Sequence, residues 1–330
     1  MSTASRLTLA LTSGELALPE VGRIAVFAPR RDTDLSALPV ARCHVITGFR
    51  PDHDHFAALG HDCAIAPEGR YAAAIVFATR AKPLAQALIA QAAAVTDGPV
   101  IVDGFKTDGI ESLLKACRGR VSVSAPLSKA HGKLFHFAAG PGFDDWTLAA
   151  QQQVEGGFVT VPGAFSADGI DPASRLLADH LPAKLGATVA DLGAGWGYLS
   201  ARALERENIA AIHLVEADHA ALDCARRNVP DPRAHFHWDD ATRWTAPEPL
   251  DTVIMNPPFH TGRAGDPELG RAFIRAAARS LKPRGHLYLV ANRHLPYEAE
   301  LAACFGEVTE LAGDNRFKIL HGARPSRKSK

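Results

Sequence analysis

The second half of the chain alternates short apolar runs with segments of helical periodicity. The apolar runs, each about as long as a strand, lie at 187–195, 211–218, 234–238, 252–256 and 286–292. Helices are predicted near 197–208, 219–228 and 266–281. Runs that are apolar throughout and separated by helices are typical of a parallel sheet covered on both faces. Two last runs, 306–314 and 316–322, are separated by a turn and predict an antiparallel hairpin at the sheet edge.

The first half repeats this alternation less regularly. Strands are predicted at 23–29, 72–78, 98–105 and 120–126, and helices at 82–95 and 109–118. A polar stretch at 141–165 is interpreted as the bridge between the halves. We therefore predict the α/β class with two domains, one over residues 1–150 and one over residues 151–330.

Composition adds constraints on the class of protein. The 330 residues carry zero formal net charge, so contact with nucleic acid has to come from local patches rather than a global field. The five cysteines are scattered and form no CxxC pair, which predicts free thiols in a reducing compartment rather than disulfides or a metal site. Because neither a signal-peptide pattern nor an apolar run of about 20 residues is seen, we expect a cytoplasmic protein without a membrane span.

A glycine-rich loop follows the first strand of the second domain. Gly193, Ala194, Gly195, Trp196 and Gly197 stand where the apolar run at 187–195 leads into the next predicted helix. Glycines at a strand-to-helix turn tolerate positive φ and let a ligand approach the backbone closely. The spacing departs from the dinucleotide fingerprint G-x-G-x-x-G, because the third glycine comes one residue early.

Acidic residues stand at the ends of three successive predicted strands. Asp191 stands just before the glycine loop, with only Leu192 between them, where it can face an ammonium group. Glu216 ends the next strand, where it can accept both hydroxyls of a ribose. Asp240 follows the third strand at a place suited to an adenine amino group. A pocket for S-adenosylmethionine needs this set of acceptors and has little need for a phosphate cradle. A tight turn with surface acids is the alternative interpretation.

The fourth predicted strand ends at Asn256, which is followed by Pro257, Pro258 and Phe259. The prolines lack N–H donors and fix φ, so they end the strand and hold the following backbone rigid. The side-chain carbonyl of Asn256 and the backbone carbonyl of Pro257 can then converge on one amino group. Phe259 offers a flat apolar face for stacking a flipped base. A proline-rich strand terminator is the alternative interpretation.

Two fixed acceptors address a specific difficulty of methylating an exocyclic amine. The lone pair of such a nitrogen is delocalised into the ring, which makes the amine a poor nucleophile. Acceptors that bind its hydrogens favour a pyramidal nitrogen and stabilise the positive charge that develops as the methyl group arrives. In-line placement against a sulfonium methyl group supplies the rest of the rate enhancement.

Together these motifs resemble class I S-adenosylmethionine-dependent methyltransferases, and more narrowly the bacterial ribosomal-RNA guanine-N2 methyltransferases of the small-subunit type. The matching stretches are PGAFSADGIDPASRLLADHL (162–181), DLGAGWGYLS (191–200), NPPFHTG (256–262), ANRHLPYEAELAACFG (291–306) and NRFKILHG (315–322). The first half adds VIVDGFKTDGIESLLK (100–115) and LSKAHGKLFHF (127–137). From about residue 70 onward the resemblance covers most of the chain.

The resemblance implies a Rossmann-like catalytic domain preceded by a degenerate domain of similar fold that has lost the cofactor site. It implies S-adenosyl-L-methionine as cofactor, N2 methylation of a guanine in 16S rRNA, and ribosomal RNA or the small ribosomal subunit as the partner. Separately, we expect a monomer without metal. The implied catalytic residues are Asn256, Pro257 and Phe259. The implied cofactor-binding residues are Asp191, Gly193, Ala194, Gly195, Glu216, Asp240 and Asn256.

The substrate is less sharply indicated than the reaction. The Asn-Pro-Pro-aromatic motif is shared with adenine and glutamine N-methyltransferases, so adenine-N6 or protein-glutamine methylation stays an alternative. A non-catalytic RNA-binding or ribosome-assembly factor with a relic pocket is another. Arg271, Arg275 and Arg279 recur every four residues on a predicted helix, where they either bind RNA phosphate or form a solvated face.

Overall fold

In the computed structural model the chain divides into two compact units, Met1–Ala150 and Gln151–Lys330. The residues that the structure describes are 5–147, 151–258, 260–261, 264–265 and 267–326. Each unit contains a seven-stranded sheet. No helix within these ranges combines the length and the apolar character needed to cross a membrane.

The sheet of the first unit is mostly parallel. Its strands are β1 (Ile24–Phe27), β2 (Cys43–Ile46), β3 (Asp62–Ala64), β4 (Ala73–Phe77), β5 (Pro99–Phe105), β6 (Leu127–Lys129) and β7 (Gly132–Ala138). Their order is β3-β2-β1-β4-β5-β7-β6, and β7 runs antiparallel to both β5 and β6. Strands β1, β2 and β4 are buried almost throughout, as expected for strands covered on both faces.

Four α-helices in the described part of the first unit pack on this sheet. They are α1 (Arg6–Thr12), α2 (Arg50–Ala58), α3 (Lys82–Val95) and α4 (Ile110–Arg118). Short 3-10 helices span Val40–Arg42, Lys106–Asp108 and Asp144–Trp146. Helix α3 begins and ends at the residues predicted from the sequence.

The strand predicted at 120–126 is wrong. Residues 121–126 form no regular secondary structure, although Val121 and Val123 pack against the core. The backbone N–H of Ser124 donates to the carbonyl of His136 (2.9 Å), and the N–H of His136 donates to the Ser124 hydroxyl (3.0 Å). These two hydrogen bonds join only one pair of residues, which is too few to form a β-ladder. The alternating Val-Ser pattern here therefore reflects packing of the valines without strand pairing.

The sheet of the second unit has the same strand order as the first. The strands of this unit are β8 (Gln152–Gln153), β9 (Val159–Thr160), β10 (Thr188–Leu192), β11 (Ala211–Glu216), β12 (Ala234–Trp238), β13 (Leu250–Met255), β14 (His260–Thr261), β15 (Ala264–Gly265), β16 (Leu281–Asn292), β17 (Phe305–Gly313) and β18 (Phe317–Pro325). The large sheet has the order β12-β11-β10-β13-β16-β18-β17, while β8 pairs with β9 and β14 with β15. Strand β18 is antiparallel to β16 and β17.

Apolar clusters cover both faces of this sheet. Along β10 the side chain of Val189 belongs to one cluster and those of Ala190 and Leu192 to the other. The α-helices around the sheet are α5 (Pro172–His180), α6 (Tyr198–Leu204), α7 (His219–Asn228), α8 (Pro267–Ser280) and α9 (Glu298–Cys304). A short 3-10 helix spans Glu155–Gly157.

The predicted fold class is confirmed: both units are α/β, with mostly parallel sheets and antiparallel hairpins. Helix α7 and strand β12 have the predicted bounds. Strand β16 is longer than predicted and begins at Leu281, because Leu281 already pairs with Leu250 ahead of an irregularity in the register.

Candidate functional site

The carboxyl ends of four strands meet at one edge of the second sheet. Strands β12, β11, β10 and β13 are parallel neighbours in this order. Asp191 is the second-to-last residue of β10, Glu216 ends β11, Asp240 follows β12, and Asn256 follows β13. Ligands of open α/β sheets bind at this edge, so the structure brings four of the predicted site residues to one place.

The loop after β10 turns on glycines in the left-handed region. Gly193, Gly195 and Gly197 have φ values of 75°, 56° and 91°, which glycine adopts without steric cost. The N–H groups of Gly193 and Ala194 both donate to the carbonyl of Val215, at 2.9 and 3.1 Å. The loop is therefore fixed to the end of β11 before α6 begins.

The last two glycines of this loop have different surroundings. A Cβ on Gly197 would lie 2.9 Å from Cγ2 of Val229 and 3.2 Å from Cβ of Ala225, so glycine is needed there for α6 to approach α7. A Cβ on Gly195 would meet no heavy atom within 4 Å. The loop thus borders open space beside Gly195, where a ligand can approach the backbone.

The bulky residue of the loop, Trp196, packs into the core. Its side chain is buried, and its indole N–H donates to the carbonyl of Phe165 at 3.0 Å. Its ring contacts those of Phe158 and Tyr198, with centroids 5.2 and 5.9 Å away. Trp196 therefore anchors the loop through contacts with the core and leaves the space beside Gly195 open.

Glu216 connects the glycine loop to the turn after β11. Its Oε2 accepts a hydrogen bond from the N–H of Gly195 (2.7 Å), and its Oε1 accepts one from the N–H of Asp218 (2.8 Å). Burial raises the pKa of Glu216 to about 7, because desolvation disfavours the charged carboxylate. Each carboxylate oxygen can accept a second hydrogen bond, so Glu216 keeps capacity to bind a ligand beside Gly195.

Asp191 is fully buried in β10. Its Oδ2 accepts a hydrogen bond from the hydroxyl of Ser200 (2.8 Å), while its Oδ1 has no partner among the described residues. Burial raises the pKa of Asp191 to about 7, and the nearby negative charge of Glu216 adds to the increase. A buried acceptor without a partner costs free energy. A positively charged donor from a ligand would satisfy it.

Asp240 shapes the turn after β12. Its Oδ1 accepts hydrogen bonds from the N–H (2.9 Å) and the hydroxyl (2.7 Å) of Thr242. The N–H of Asp239 donates to the backbone carbonyl of Glu216 at 3.1 Å, which keeps this turn beside the end of β11. Asp240 is partly exposed at this position. The turn therefore presents a second carboxylate next to Glu216.

The side chain of Asn256 is held in one orientation. Its Nδ2 donates to Oδ2 of Asp171 (3.0 Å) and to the hydroxyl oxygen of Ser174 (2.9 Å). Asp171 is the N-cap of α5, and the same Oδ2 accepts the N–H of Ser174 at 2.8 Å. A carboxylate can only accept, so the amide nitrogen has to face Asp171. Oδ1 is then the atom of Asn256 with the chemistry to accept from a substrate amine.

Asp171 and Ser174 bind the predicted site residue Asn256, and the sequence reasoning did not single them out. They lie in the stretch IDPAS at the start of α5. The pattern of an acidic N-cap followed by proline predicts a helix start. It carries no signal of a contact with a residue 85 positions away.

The residues after Asn256 are described in part. Pro257 is buried and Pro258 is exposed. Phe259, the predicted stacking residue, lies outside the described residues. The backbone pair of β14 with β15 follows shortly after the motif.

The two sheets can be compared through their registers. The last residue pair of β1 with β2 corresponds to the last pair of β10 with β11. Ala28 then corresponds to Gly193, and their N–H groups make the same 2.9 Å hydrogen bond, to the carbonyls of Ile46 and Val215 respectively. Ala28 also has positive φ, at 51°. Pro29 follows it, so the glycines of the second unit have no counterpart there.

The first unit also lacks the polar groups of the site. By the same register Thr47 stands where the second unit has Glu216, and Phe77 stands where it has Asn256. The turn geometry after the first strand is thus shared between the units, whereas the carboxylate and the amide are present only in the second.

The arginines of α8 are largely engaged within the protein. Arg271 and Arg275 form ion pairs with Glu268, and Arg275 also pairs with Glu300 at 3.1 Å. Arg279 donates to the carbonyl of Thr242 at 2.8 Å. Among the described residues there is no group of three or more His, Cys, Asp or Glu side chains arranged to hold a metal ion, and the five cysteines are free.

Comparison with solved structures identifies the fold. A 16S rRNA guanine-N2 methyltransferase of T. thermophilus, solved with AdoMet and guanosine, matches with a TM-score of 0.78. The match covers 93% of this chain and 90% of that chain at 24% identity. The chain therefore has the same fold as that protein over most of both units.

Sequence comparison identifies the family. A family model for the methyltransferase small domain matches residues 155–321. A ribosomal RNA small subunit methyltransferase C of Shewanella sp. strain MR-4 is 31% identical over 265 residues, 76% of this chain and 77% of that protein. The protein of the same name from Shewanella oneidensis is 31% identical over 267 residues, 77% of this chain and 78% of that protein. The chain belongs to the ribosomal RNA small subunit methyltransferase C family of S-adenosylmethionine-dependent methyltransferases, as its motifs predicted.

Proposed function

We propose that this protein transfers a methyl group from S-adenosylmethionine to the exocyclic N2 amine of a guanine in 16S ribosomal RNA. The observation that carries the proposal is the orientation of Asn256, whose Nδ2 is bound by Asp171 and Ser174. Its Oδ1 is thereby assigned to a donor outside the protein, at the strand edge that also holds Asp191 and Glu216. The choice of 16S ribosomal RNA and of guanine as substrate is supported by the names of the similar proteins.

The residues at the sheet edge fit the proposed cofactor. The unpartnered Oδ1 of Asp191 is suited to an ammonium group, and Glu216 is suited to the hydroxyls of a ribose. Asp240 is suited to an adenine amino group. The backbone of Gly193, Ala194 and Gly195 would line the pocket, where the open space beside Gly195 lets a ligand approach. Asn256 borders this pocket at the end of β13.

Catalysis in this proposal consists of binding and orienting the amine. When bound, S-adenosylmethionine would supply the methyl group of its sulfonium and leave as the neutral thioether S-adenosylhomocysteine, while the amine gains the methyl group and loses a proton to water. Asn256 Oδ1 and the carbonyl of Pro257 accept the two amine hydrogens and stabilise the positive charge that develops on nitrogen. The charged nitrogen is acidic, so its proton leaves without a strong base. We assign base stacking to Phe259.

The first unit has a supporting part in this proposal. Because Thr47 and Phe77 replace the carboxylate and the amide of the second unit, we assign cofactor binding and catalysis to residues 151–330 alone. Residues 1–150 are then a degenerate methyltransferase-like domain. A substrate in the small ribosomal subunit would place the enzyme in the cytoplasm, and we propose that it acts as a monomer without metal.

The proposal is tested by methyl transfer to RNA from cells that lack the gene. The purified protein is incubated with labelled S-adenosylmethionine and either 16S rRNA or small subunits, and the RNA is digested to nucleosides. We expect label in N2-methylguanosine, and Asn256→Ala should abolish most of it. Label in N6-methyladenosine, or only in ribosomal protein, would overturn the proposal. Comparing naked RNA with subunits also identifies the form of the substrate.

A further inference from the structure

An open, polar cavity of about 490 Å³ lies at the end of β16, and none of the residues assigned to the cofactor lines it. Its lining residues are Asn292, Arg293, His294, Asn315, Arg316 and Phe317. Asn292 ends β16 and pairs with Phe317, which begins β18. Its volume is within the range of small-ligand sites, roughly 300–1,000 Å³.

The cavity lies beside the proposed catalytic amide. Met255 of β13 pairs with Leu289 of β16 in parallel register, so Asn256 lies next to the level of Val290. Asn292 is two residues further along the same strand, a distance of roughly 7 Å. The cavity therefore opens at the same sheet edge as the methyl-transfer site, one strand away from it.

The cavity carries two arginines in different states. The guanidinium of Arg293 is held by the carbonyls of Asp314 (2.6 Å) and Phe317 (3.2 Å) and by Glu310 (3.0 Å), and its Nη1 takes no part in these contacts. Arg316 is exposed and lies over the ring of Phe317, 4.9 Å from its centroid. It forms no ion pair within the described ranges.

These groups match the chemistry of a nucleotide. A guanidinium binds phosphate through paired N–H donors, and a guanidinium on an aromatic ring makes a platform on which a base stacks. The amides of Asn292 and Asn315 add donors and acceptors for a base edge. We propose that this cavity holds the nucleotide next to the target guanine in a single-stranded segment of the RNA, with its phosphate at Arg293 and Arg316 and its base against Arg316 and Phe317. This inference rests on the proposed function.

The test compares two exposed arginines on the full-length protein. Arg316→Ala removes the free guanidinium of the cavity. Arg284→Ala is the matched control, because Arg284 is exposed near the start of β16, at the opposite edge of the sheet. With 16S rRNA as substrate, Arg316→Ala should raise KM on the order of tenfold and lower the salt slope of RNA binding by roughly 0.7. Affinity for S-adenosylmethionine should stay unchanged, and Arg284→Ala should match the parent throughout.

A second variant separates charge from stacking. Arg316→Lys keeps the positive charge and loses the planar group, so it should restore the salt slope but only part of the RNA affinity. If Arg316→Ala and the active parent had equal KM values, the nucleotide-binding role of the cavity would be refuted and the proposed function would stand. An equal loss of RNA affinity in Arg284→Ala would also refute this role, because the loss would then come from the lower positive charge of the protein and not from the cavity. A parent protein that neither binds nor methylates 16S rRNA would overturn the proposed function, and the cavity assignment with it.

Discussion

Asn256 Nδ2 and Asp171 Oδ2 lie 3.0 Å apart, although their residues are separated by 85 positions in the chain. This hydrogen bond joins the end of β13 to the first turn of α5. Together with the hydroxyl of Ser174 it uses both hydrogens of the Asn256 amide. The direction of the carbonyl that we propose binds the substrate amine is thus set by a helix N-cap, and Asp171 should act as a positioning residue.

The first prediction concerns Asp171→Ser. Serine keeps an N-cap acceptor for α5 but is too short to reach Asn256, so the amide loses one of its anchors. We expect kcat for methyl transfer to fall by about 10- to 100-fold, because small misplacements of a catalytic group are costly. The affinity for S-adenosylmethionine should change little. Single-turnover methylation and titration calorimetry measure the two effects separately.

The control for this prediction is another helix N-cap. Ser5 caps α1 in the first unit through a 3.1 Å hydrogen bond from the N–H of Thr8. Ser5→Ala should lower stability by about 1 kcal/mol and leave kcat unchanged. If both variants lost activity in proportion to their loss of stability, the positioning role of Asp171 would be excluded.

The second prediction concerns Asn256 itself. Asn256→Ala removes an acceptor that matters mainly as positive charge develops on the amine. The rate of methyl transfer should fall on the order of 10²–10³-fold, the scale of losing one preorganised polar group in a transition state. Cofactor affinity should fall far less. A variant with the parent's single-turnover rate would show that the amide does not contact the reacting nitrogen.

The placement of site residues at strand ends was predictable from the sequence. Glu216, Asp240 and Asn256 stand at or just after the end of an apolar run, and Asp191 lies one residue before the end of β10. In a parallel sheet those stops fall on one edge, so local patterns were sufficient to group the four residues. The chemistry expected of that edge needed no knowledge of side-chain contacts.

Features that depend on distant contacts were not predictable in the same way. The orientation of Asn256 requires Asp171, and the burial of Trp196 requires Phe158 and Phe165, which no local pattern connects to it. The failed strand at 120–126 has the same cause. Its alternation of apolar and polar residues is real, but whether a partner strand completes the ladder is decided by tertiary structure.

The third prediction contrasts two glycines of the loop. Gly197→Ala places a Cβ 2.9 Å from Val229 at a φ of 91°, so it should cost roughly 1–3 kcal/mol of stability. Gly195→Ala meets no atom within 4 Å and pays only for its positive φ, about 1–2 kcal/mol. The new methyl group of Gly195→Ala enters the open space beside the loop. For the same loss of stability, Gly195→Ala should therefore weaken S-adenosylmethionine binding more than Gly197→Ala does. Thermal unfolding and calorimetry on both variants check this contrast.

The fourth prediction concerns stability and pH. Asp191 and Glu216 have pKa values of about 7 in the folded protein, raised by burial from 3.8 and 4.5. Between about pH 4 and pH 7 the folded state therefore binds more protons than the unfolded state. The stability that these groups contribute is present below pH 4 and is lost as the pH rises through 7. We expect the free energy of unfolding of the unliganded protein, measured with denaturant from pH 4 to pH 7, to fall less in Asp191→Asn than in the parent. An equal fall in the variant and the parent would exclude Asp191 as a source.

The last prediction connects the same carboxyl groups to the cofactor. An ammonium group beside Asp191 and ribose hydroxyls at Glu216 both favour the ionised carboxylates, so binding should lower the two pKa values from about 7. At pH 6 the unliganded protein holds protons that the complex does not, so binding should release protons and affinity should increase between pH 5.5 and 7. Titration calorimetry in two buffers with different ionisation enthalpies counts the released protons. Glu216→Gln should release fewer, whereas Glu205→Gln, a change at an exposed carboxylate paired with Arg202, should release as many as the parent. Binding by the parent without any proton release at pH 6 would contradict the roles given to Asp191 and Glu216.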